Sequence, residues 1–327
     1  MILPRRDFLV TLAYGSVALA AAPLAAAKSP RPIPRRSIIP AALTPLDHAL
    51  ALDLPDWRRH IAALASVPGV TAIMVNGASG HDNTLTRDER RRLLGEALVA
   101  AGPRVAILAA LRETKTETSL APFAQDAAAE GADAMVMMPP ADKADLAWEG
   151  ARVRFDRALS ASALPVAIYQ TAYDTDTLVQ LAAMRPVFAV KEGSGAPAVF
   201  ERNLRALRGL DRSIAVWTTH SSWLLADLAL GADGLLSGMG SVAAELQVAL
   251  AVAVERSDLA AARAINDRLF PLTQAFYRPG QDAHTRMKYA LHKLGRFNTD
   301  RVRPPRQSVD ATDRARIDRA LRESGLL

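Results

Sequence analysis

Short, continuous apolar runs alternate along this chain with longer segments of helical periodicity, beginning near residue 37. Each run is short, aliphatic and bounded by polar or glycine-containing positions, which is typical of a β-strand. Continuous runs, as opposed to alternating ones, favour parallel strands that are buried on both faces. The eight predicted strands are Ile38–Leu43, Thr71–Val75, Val105–Ala110, Ala134–Met138, Pro165–Tyr169, Val187–Lys191, Ile214–Trp217 and Gly234–Ser237.

The segments between these runs have apolar residues at the spacing of amphipathic helices. Thr86 is followed three residues later by Glu89, a capping box, and Gly131 supplies a helix stop. The predicted helices between strands are Thr86–Ala101, Glu117–Glu130, Trp148–Ser162, Thr175–Ala183, Ala198–Leu207, Ser221–Leu230 and Val242–Arg256. After the last strand, the predicted helices are Ser257–Phe276, Ala283–Leu294 and Thr312–Arg322.

This alternation predicts an α/β fold, a (β/α)8 TIM barrel over residues 37–256 with a C-terminal helical extension over residues 257–327. We expect the extension to pack on the barrel or on a neighbouring molecule. A doubly wound open sheet is the alternative. The Gly-x-Gly-x-x-Gly motif of dinucleotide-binding sheets, however, does not follow the first run.

The N-terminal residues have the pattern of an export signal. Arg5-Arg6-Asp7-Phe8-Leu9 is a twin-arginine start, and a mildly apolar stretch then ends in Ala25-Ala26-Ala27. This order predicts a Tat-type signal peptide over residues 1–27, with an uncleaved membrane anchor as the alternative. Residues 28–36 predict a proline-rich extended linker. We therefore expect a periplasmic or otherwise extracytoplasmic protein, exported by the Tat route and without stable membrane insertion after signal removal.

Composition narrows the chemistry further. The 327 residues include 40 lysines and arginines against 34 acidic residues, a net charge of +6, and no cysteine. The absence of cysteine excludes disulfides and thiolate catalysis. Much of the basic excess lies between Arg296 and Arg322, with Phe297 as the only aromatic residue there. We interpret it as a solvated helical face and expect no nucleic-acid partner.

Lys191 is the most informative residue of the chain. It ends the sixth run and is followed by Glu192-Gly193-Ser194-Gly195. An ammonium at the end of a buried strand is costly to desolvate, so the pKa of its amine tends to fall. A neutral lysine can attack a carbonyl carbon and form a Schiff base. Tyr169 ends the preceding run, and a phenol beside an amine can shuttle protons during imine chemistry.

The loops that follow the strands of a TIM barrel form its active face. Gly77-Ala78-Ser79-Gly80 follows the second strand, and its backbone N–H groups and one hydroxyl suit a substrate carboxylate. Ser237-Gly238-Met239-Gly240-Ser241 follows the eighth and either cradles an anion or forms a tight turn. Period-two alternation predicts that Val187, Ala189 and Lys191 share one side of their strand, with Ala189 leaving room inside the barrel.

These blocks, in this order, resemble the dihydrodipicolinate synthase / N-acetylneuraminate lyase family of class I Schiff-base aldolases. The resemblance runs over nearly all of the chain after residue 36. The matching blocks are Thr44-Pro45, Gly77-Ala78-Ser79-Gly80, Gly131-Ala132-Asp133-Ala134 with Pro139, Tyr169-Gln170, Val190-Lys191-Glu192-Gly193-Ser194-Gly195, Gly231-Ala232-Asp233-Gly234-Leu235-Leu236-Ser237-Gly238 and Met287-Lys288-Tyr289-Ala290-Leu291.

The resemblance implies a lyase or aldolase that acts on a 2-oxo acid, such as pyruvate or a sugar-derived 2-oxo acid. Lys191 would form the imine, and Tyr169 would relay protons. The substrate would be bound by the loop Gly77, Ala78, Ser79 and Gly80, and by Thr44, His220, Ser237 and Gly238. The resemblance also implies a homo-oligomer, a dimer or a tetramer. No cofactor and no metal are expected.

Several positions depart from the family pattern. The family loop has two hydroxyl residues, whereas this chain has only Ser79, after Ala78. The family also places a second tyrosine after the fourth strand, but no tyrosine occurs between Met138 and Pro165. The arginine that binds the second substrate's carboxylate in the synthases is absent before Arg185. These departures, together with predicted export, argue against the lysine-pathway synthase itself and predict a proton relay reduced to Tyr169.

Other interpretations remain open from the sequence. His81 and His220 lie on the predicted active face and can act as acids or bases, or ligate a metal with Asp82, although they lack a characteristic ligand spacing. A non-catalytic 2-oxo acid-binding protein on the same barrel is the main alternative function. A pyridoxal phosphate enzyme is a third, but neither a phosphate cradle nor an acidic partner for the ring nitrogen is evident.

Overall fold

The computed structural model describes residues 29–114, 116–140 and 142–327, so the predicted signal peptide lies outside the described residues. Eight parallel strands form one sheet in which each strand pairs with its neighbour in the chain and β1 pairs with β8. The strands are β1 Ile38–Pro40, β2 Ala72–Val75, β3 Ala106–Leu111, β4 Ala134–Met137, β5 Val166–Gln170, β6 Val187–Glu192, β7 Ala215–Thr218 and β8 Gly234–Ser237.

Two isolated parallel bridges between β1 and β2 close the sheet into a barrel, at Ile38 with Val70 and at Ala41 with Met74. Helices connect successive strands on the outside, which confirms the predicted TIM barrel. They are α1 Leu54–Ser66, α2 Arg87–Ala100, α3 Ala121–Glu130, α4 Trp148–Ala161, α5 Thr175–Ala183, α6 Pro197–Arg208, α7 Leu224–Leu230 and α8 Gly240–Glu255. The C-terminal helices are α9 Leu259–Phe276, α10 Ala283–Lys293 and α11 Ala311–Glu323.

The predicted helices agree with the structure in order, with shifts at some ends. The capping box is present as predicted, with Thr86 accepting a hydrogen bond from Glu89 N and the Glu89 side chain accepting from Thr86 N. The sequence pattern did not single out α1, whose start is capped by Asp53. The predicted helices from Glu117 and Ser221 begin later, at Ala121 and Leu224, because the intervening residues form the loops of the barrel mouth.

Small side chains fill most of the barrel interior. This inner cluster contains Ile39, Ala41, Ala72, Met74, Ala106, Leu108, Ala110, Ala134, Val136, Met138, Ala167, Ala189, Ala215, Trp217 and Leu236. Larger aliphatic residues lie instead between the strands and the surrounding helices. The many alanines bring the backbones of the strands close together and leave space beneath the loops at the carboxyl ends.

The predicted inward orientation of Val187 is wrong. The register between β5 and β6 shifts between the pairs Val166–Val187 and Ala167–Ala189, which leaves Phe188 as an extra residue. Such a bulge reverses the facing of residues that precede it. Val187 therefore packs toward the helices, whereas Ala189 lies in the barrel interior as predicted.

The proline-rich segment over residues 29–36 is docked against the amino-terminal end of the barrel. Arg31 forms an ion pair with Asp133, which immediately precedes β4. Arg35 forms another with Asp233, which precedes β8, and its carbonyl accepts a hydrogen bond of 2.9 Å from the indole of Trp217. The segment thus lies at the end of the barrel opposite the loops that follow the strands.

The C-terminal helices continue the core and do not form a separate unit. α9, α10 and α11 share one apolar cluster with α8 and the end of β8, which includes Leu250, Leu272, Leu291 and Ile317. α10 also approaches the loop after β2. In the part of the chain that the structure describes, no helix has both the length and the apolar character needed to span a membrane.

Candidate active site

Lys191 and Tyr169 lie side by side at the carboxyl end of the barrel. They are direct register partners on β6 and β5, because the bulge lies earlier in the strand. The Nζ atom of Lys191 is 3.8 Å from the centroid of the Tyr169 ring. Lys191 is only 4% exposed, and among the described residues its amine has no hydrogen-bond partner. The amine is therefore enclosed and free to react with a ligand.

The pKa of Lys191 is lowered from 10.5 to about 7, mainly by burial; the guanidinium of Arg112 contributes to the decrease, and Asp82 opposes it. A substantial fraction of the amine is then neutral near pH 7, which is the nucleophilic form. Burial raises the pKa of Tyr169, and Arg112 partly counters this effect. The phenol therefore keeps its proton at neutral pH and can donate it to an oxygen that develops negative charge.

The loop after β2 has the free hydrogen-bond donors of an anion-binding site. Ala78–Gly80 form one short helical turn, and in the described residues the backbone N–H groups of Ala78 and Ser79 donate to no backbone acceptor. The Thr44 hydroxyl at the end of β1 is buried beside this turn and also lacks a partner in that part of the chain. A Cβ on Gly80 would lie 2.7 Å from Thr44 Oγ1, so glycine permits the close approach. These donors suit a carboxylate.

Gly238 lets the loops after β2 and β8 meet. A Cβ at this position would lie 2.8 Å from Ser79 Oγ and 3.3 Å from the ring of His284. Ser237 is completely buried and accepts a hydrogen bond of 3.1 Å from Gln247. Gly238 therefore borders the candidate carboxylate site, whereas the Ser237 hydroxyl is hydrogen-bonded within the protein; contact of either residue with a substrate stays a prediction.

His220 has a positioning role in this structure. The N–H of Gly195 donates to its Nε2 at 2.6 Å, and its Nδ1 lies 3.2 Å from Asp227. An imidazole that accepts at Nε2 carries its proton on Nδ1 and donates it to the carboxylate. His220 thus fastens the loop after Lys191, and its contact with a substrate stays a prediction. Glu192 has a similar role, because it accepts hydrogen bonds from Ser194 N and from Asn203.

A second group of polar residues joins the loop after β2 to the start of α10. Atoms of His81, Asp282 and His284 lie within 4.8 Å of one another, which is the spacing of a candidate metal site. Asp282 is already committed, however, since one oxygen caps His284 N and Thr285 N and the other accepts from Arg306. Burial lowers the pKa of His284 to about 4. Both oxygens of Asp282 are thus already occupied by protein donors, and the cluster is held together without a cation.

Sequence reasoning missed Arg112, which immediately follows β3. Its Nε donates to Asp82 at 2.5 Å. This pairing engages Asp82, which was considered from the sequence as a metal ligand together with His81 and His220. The pair is formed by residues 30 positions apart on two different loops. The parallel pairing of β2 with β3 brings the two loops to the same edge of the sheet, and a charged residue at a strand's carboxyl end was a usable signal.

Sequence reasoning also missed Tyr277, which follows α9. Its hydroxyl accepts a hydrogen bond of 2.8 Å from Ser221. Burial is the main cause that raises its pKa to about 12, and the charge of Tyr169 acts in the same direction. The contact with Ser221, which follows β7, brings a second phenol from the C-terminal extension to the carboxyl end of the barrel. The reduction of the proton relay to Tyr169 stays a prediction.

Comparisons with known proteins agree with this geometry. A model of the dihydrodipicolinate synthetase family matches residues 34–324. The 4-hydroxy-tetrahydrodipicolinate synthase of Moorella thermoacetica is 29% identical over 296 residues, which cover 89% of this chain and 98% of that protein. The enzyme of the same name from Corynebacterium aurimucosum is 31% identical over 299 residues, covering 88% of this chain and 94% of that protein.

Solved structures give the same fold. The dihydrodipicolinate synthase of Thermotoga maritima superposes with a TM-score of 0.81 at 22% identity, covering 89% of this chain and 99% of that one. A prophage protein of this family from E. coli K12, solved in complex with pyruvate, has a TM-score of 0.81 at 23% identity with the same two coverages. Together with the family match and the paired lysine and tyrosine, these similarities identify the chain as an enzyme of the dihydrodipicolinate synthetase family, a lyase that acts through a lysine Schiff base.

Proposed function

We propose that this enzyme binds a 2-oxo acid as an imine on Lys191 and then forms or breaks a bond at the adjacent carbon. The single observation that supports this most directly is an unpartnered, enclosed amine with a pKa of about 7 over the face of a tyrosine. Neither burial nor a lowered pKa alone would suffice, since a structural lysine can have both.

The proposed sequence of steps uses groups that are already in place. The loop after β2 and the Thr44 hydroxyl bind the carboxylate, and neutral Lys191 attacks the keto carbon to form a carbinolamine. Tyr169 donates a proton to the former keto oxygen, which leaves as water as the nitrogen forms the imine. The imine then withdraws electrons from the neighbouring carbon–carbon bond, so that aldol cleavage, addition or loss of water becomes feasible.

Trapping with borohydride tests this proposal. The enzyme is incubated with pyruvate and a panel of other 2-oxo acids, reduced, digested and mapped by mass spectrometry. We expect an adduct on Lys191 and none in Lys191→Ala. A complete lack of adduct across the panel would contradict the proposal.

Lys288 provides a matched control within the same molecule. It is also buried, and burial also lowers its pKa to about 7, but its Nζ donates to the carbonyl of Arg301 at 2.9 Å. If a lowered pKa were sufficient, both lysines would be modified. We expect Lys288 to stay unmodified and Lys288→Met to keep the adduct on Lys191.

We further propose a role outside the lysine pathway, in the periplasm, for a homo-oligomeric enzyme. The twin-arginine start at Arg5-Arg6 supports export, and the missing arginine after Tyr169 supports a substrate other than that of the synthases. Cell fractionation of the full chain tests export, with the variant Arg5→Lys/Arg6→Lys as control. Retention of both the parent and the variant in the cytoplasm would refute export. Light scattering measures the assembly, and a monomer at micromolar concentration would refute the oligomer.

A further inference from the structure

Arg112 lies at the outer edge of the site that encloses Lys191. Its side chain is 25% exposed, whereas that of its partner Asp82 is 4% exposed and Lys191 is 4% exposed overall. Arg112 follows β3 at the carboxyl end of the barrel, the same end at which Lys191 lies on β6. Its partner Asp82 belongs to the segment after β2 that also contains the candidate carboxylate site, so the guanidinium borders that site on its exposed side.

The guanidinium of Arg112 is held in place but not saturated. Its Nε donates to Asp82, and its backbone carbonyl accepts a hydrogen bond of 3.2 Å from Arg90. Among the described residues, neither terminal nitrogen of Arg112 donates a hydrogen bond to a protein acceptor. Neither nitrogen is fully buried, so both can be reached from solvent. Four N–H groups are thus directed at space that a ligand can reach, in the planar arrangement that binds a carboxylate through two hydrogen bonds.

The local charge is also unbalanced. Asp82 faces two cations, because its carboxylate pairs with Arg112 and its carbonyl accepts from the buried Arg90 at 2.8 Å. The next acidic residue, Glu113, is paired with Arg154 and does not offset them. One carboxylate among two guanidiniums leaves an excess positive charge in a largely buried environment, which an anion would compensate.

We propose that Arg112 binds a second anionic group of the substrate, so that the preferred substrates are 2-oxo acids with a distal carboxylate. This inference rests on the proposed imine chemistry and names its substrate class. The loop after β2 takes the carboxylate next to the keto group, and Arg112 takes the one at the far end.

Chain-matched pairs of acids test the inference by their relative efficiency of borohydride trapping. 2-Oxoglutarate is compared with 2-oxopentanoate, and 2-oxoadipate with 2-oxohexanoate, so that each pair differs in the distal carboxylate alone. We expect the enzyme to favour the dicarboxylate about 10-fold or more in at least one pair. Arg112→Gln should bring that ratio close to one, and Arg112→Lys should give an intermediate value because an ammonium cannot bind bidentately.

The ratio is taken at a single pH within each variant, so a change in the pKa of Lys191 affects both acids equally and cancels. Arg87→Gln is the matched control, since Arg87 forms a surface ion pair with Asp126, and it should keep the parental ratio. A parental ratio of one or less in both pairs, or a ratio unaffected by Arg112→Gln, would overturn the inference and leave the proposed function standing. Failure to trap any acid would overturn both.

Discussion

The amine of Lys191 lies over the face of the Tyr169 ring, with Nζ 3.8 Å from the ring centroid, and it is not hydrogen-bonded to the phenol oxygen. The ring therefore orients the amine, while the hydroxyl remains free to serve the substrate. Orientation and proton transfer are thus separable functions of one side chain, and a substitution that keeps the ring should affect only the second.

Tyr169→Phe should lower turnover by about 10²- to 10⁴-fold, the usual contribution of a positioned proton donor. The fold should be retained because the aromatic ring still packs against the barrel interior. Steady-state kinetics with the best 2-oxo acid of the trapping panel measure the effect. Tyr173→Phe is the control, since the buried Tyr173 hydroxyl has no hydrogen-bond partner within the described residues. Equal losses in the two variants would contradict the assignment.

Imine formation should depend on pH through Lys191. With a pKa of about 7, the neutral amine becomes more abundant as the pH rises, so the trapping rate should increase between pH 6 and pH 8 and then level off. Arg112 lowers this pKa, so Arg112→Gln should move the rise to higher pH. Initial trapping rates across buffers of constant ionic strength measure both profiles. A profile in Arg112→Gln that is displaced to lower pH would contradict the arrangement of charges.

Lys191→Met should stabilise the protein, because it replaces a buried amine with an apolar side chain of similar length. Below pH 7 the lysine is charged in both the folded and unfolded states, and the folded state bears the full cost of burying that charge. From pH 7 to 10.5 the folded state releases the proton that the unfolded state retains, so the cost declines with rising pH. We expect a gain in the free energy of unfolding on the order of 3 kcal/mol at pH 6, and a smaller gain at pH 10. Denaturant unfolding at both pH values measures it, and a larger gain at pH 10 would refute the sign.

Gly238→Ala should impair substrate binding more than folding. The added Cβ would lie 2.8 Å from Ser79 Oγ and 3.3 Å from His284 Cδ2, so the Ser79 hydroxyl of the candidate carboxylate site has to shift. A displacement of this kind can reduce catalytic efficiency by about 10²-fold. Gly95→Ala in α2 is the matched control, because its Cβ would be 3.4 Å or more from its neighbours. That variant should keep its activity and gain up to about 1 kcal/mol of stability. Similar activity in the two variants would contradict the role of Gly238.

The fold, the lysine and the tyrosine were predictable because they depend on local signals. Apolar runs predict strands, and the ends of those strands carry Lys191 and Tyr169. Arg112 and Tyr277 were not predicted, since their importance arises from contacts between loops that are distant in the chain. The predicted orientation of Val187 was wrong for a different reason. Period-two alternation assumes an uninterrupted ladder, and the extra residue at Phe188 breaks it.

The attachment of Arg31 and Arg35 beneath the barrel also has a practical consequence. Arg31 and Arg35 lie at the amino-terminal end of the barrel, a full strand length away from the loops that carry Lys191 and Tyr169. A leader, an affinity tag or a surface linker placed there leaves the entrance for small molecules unobstructed. The enzyme is therefore suited to immobilisation through its N-terminus, with every copy presenting its open face to the solution.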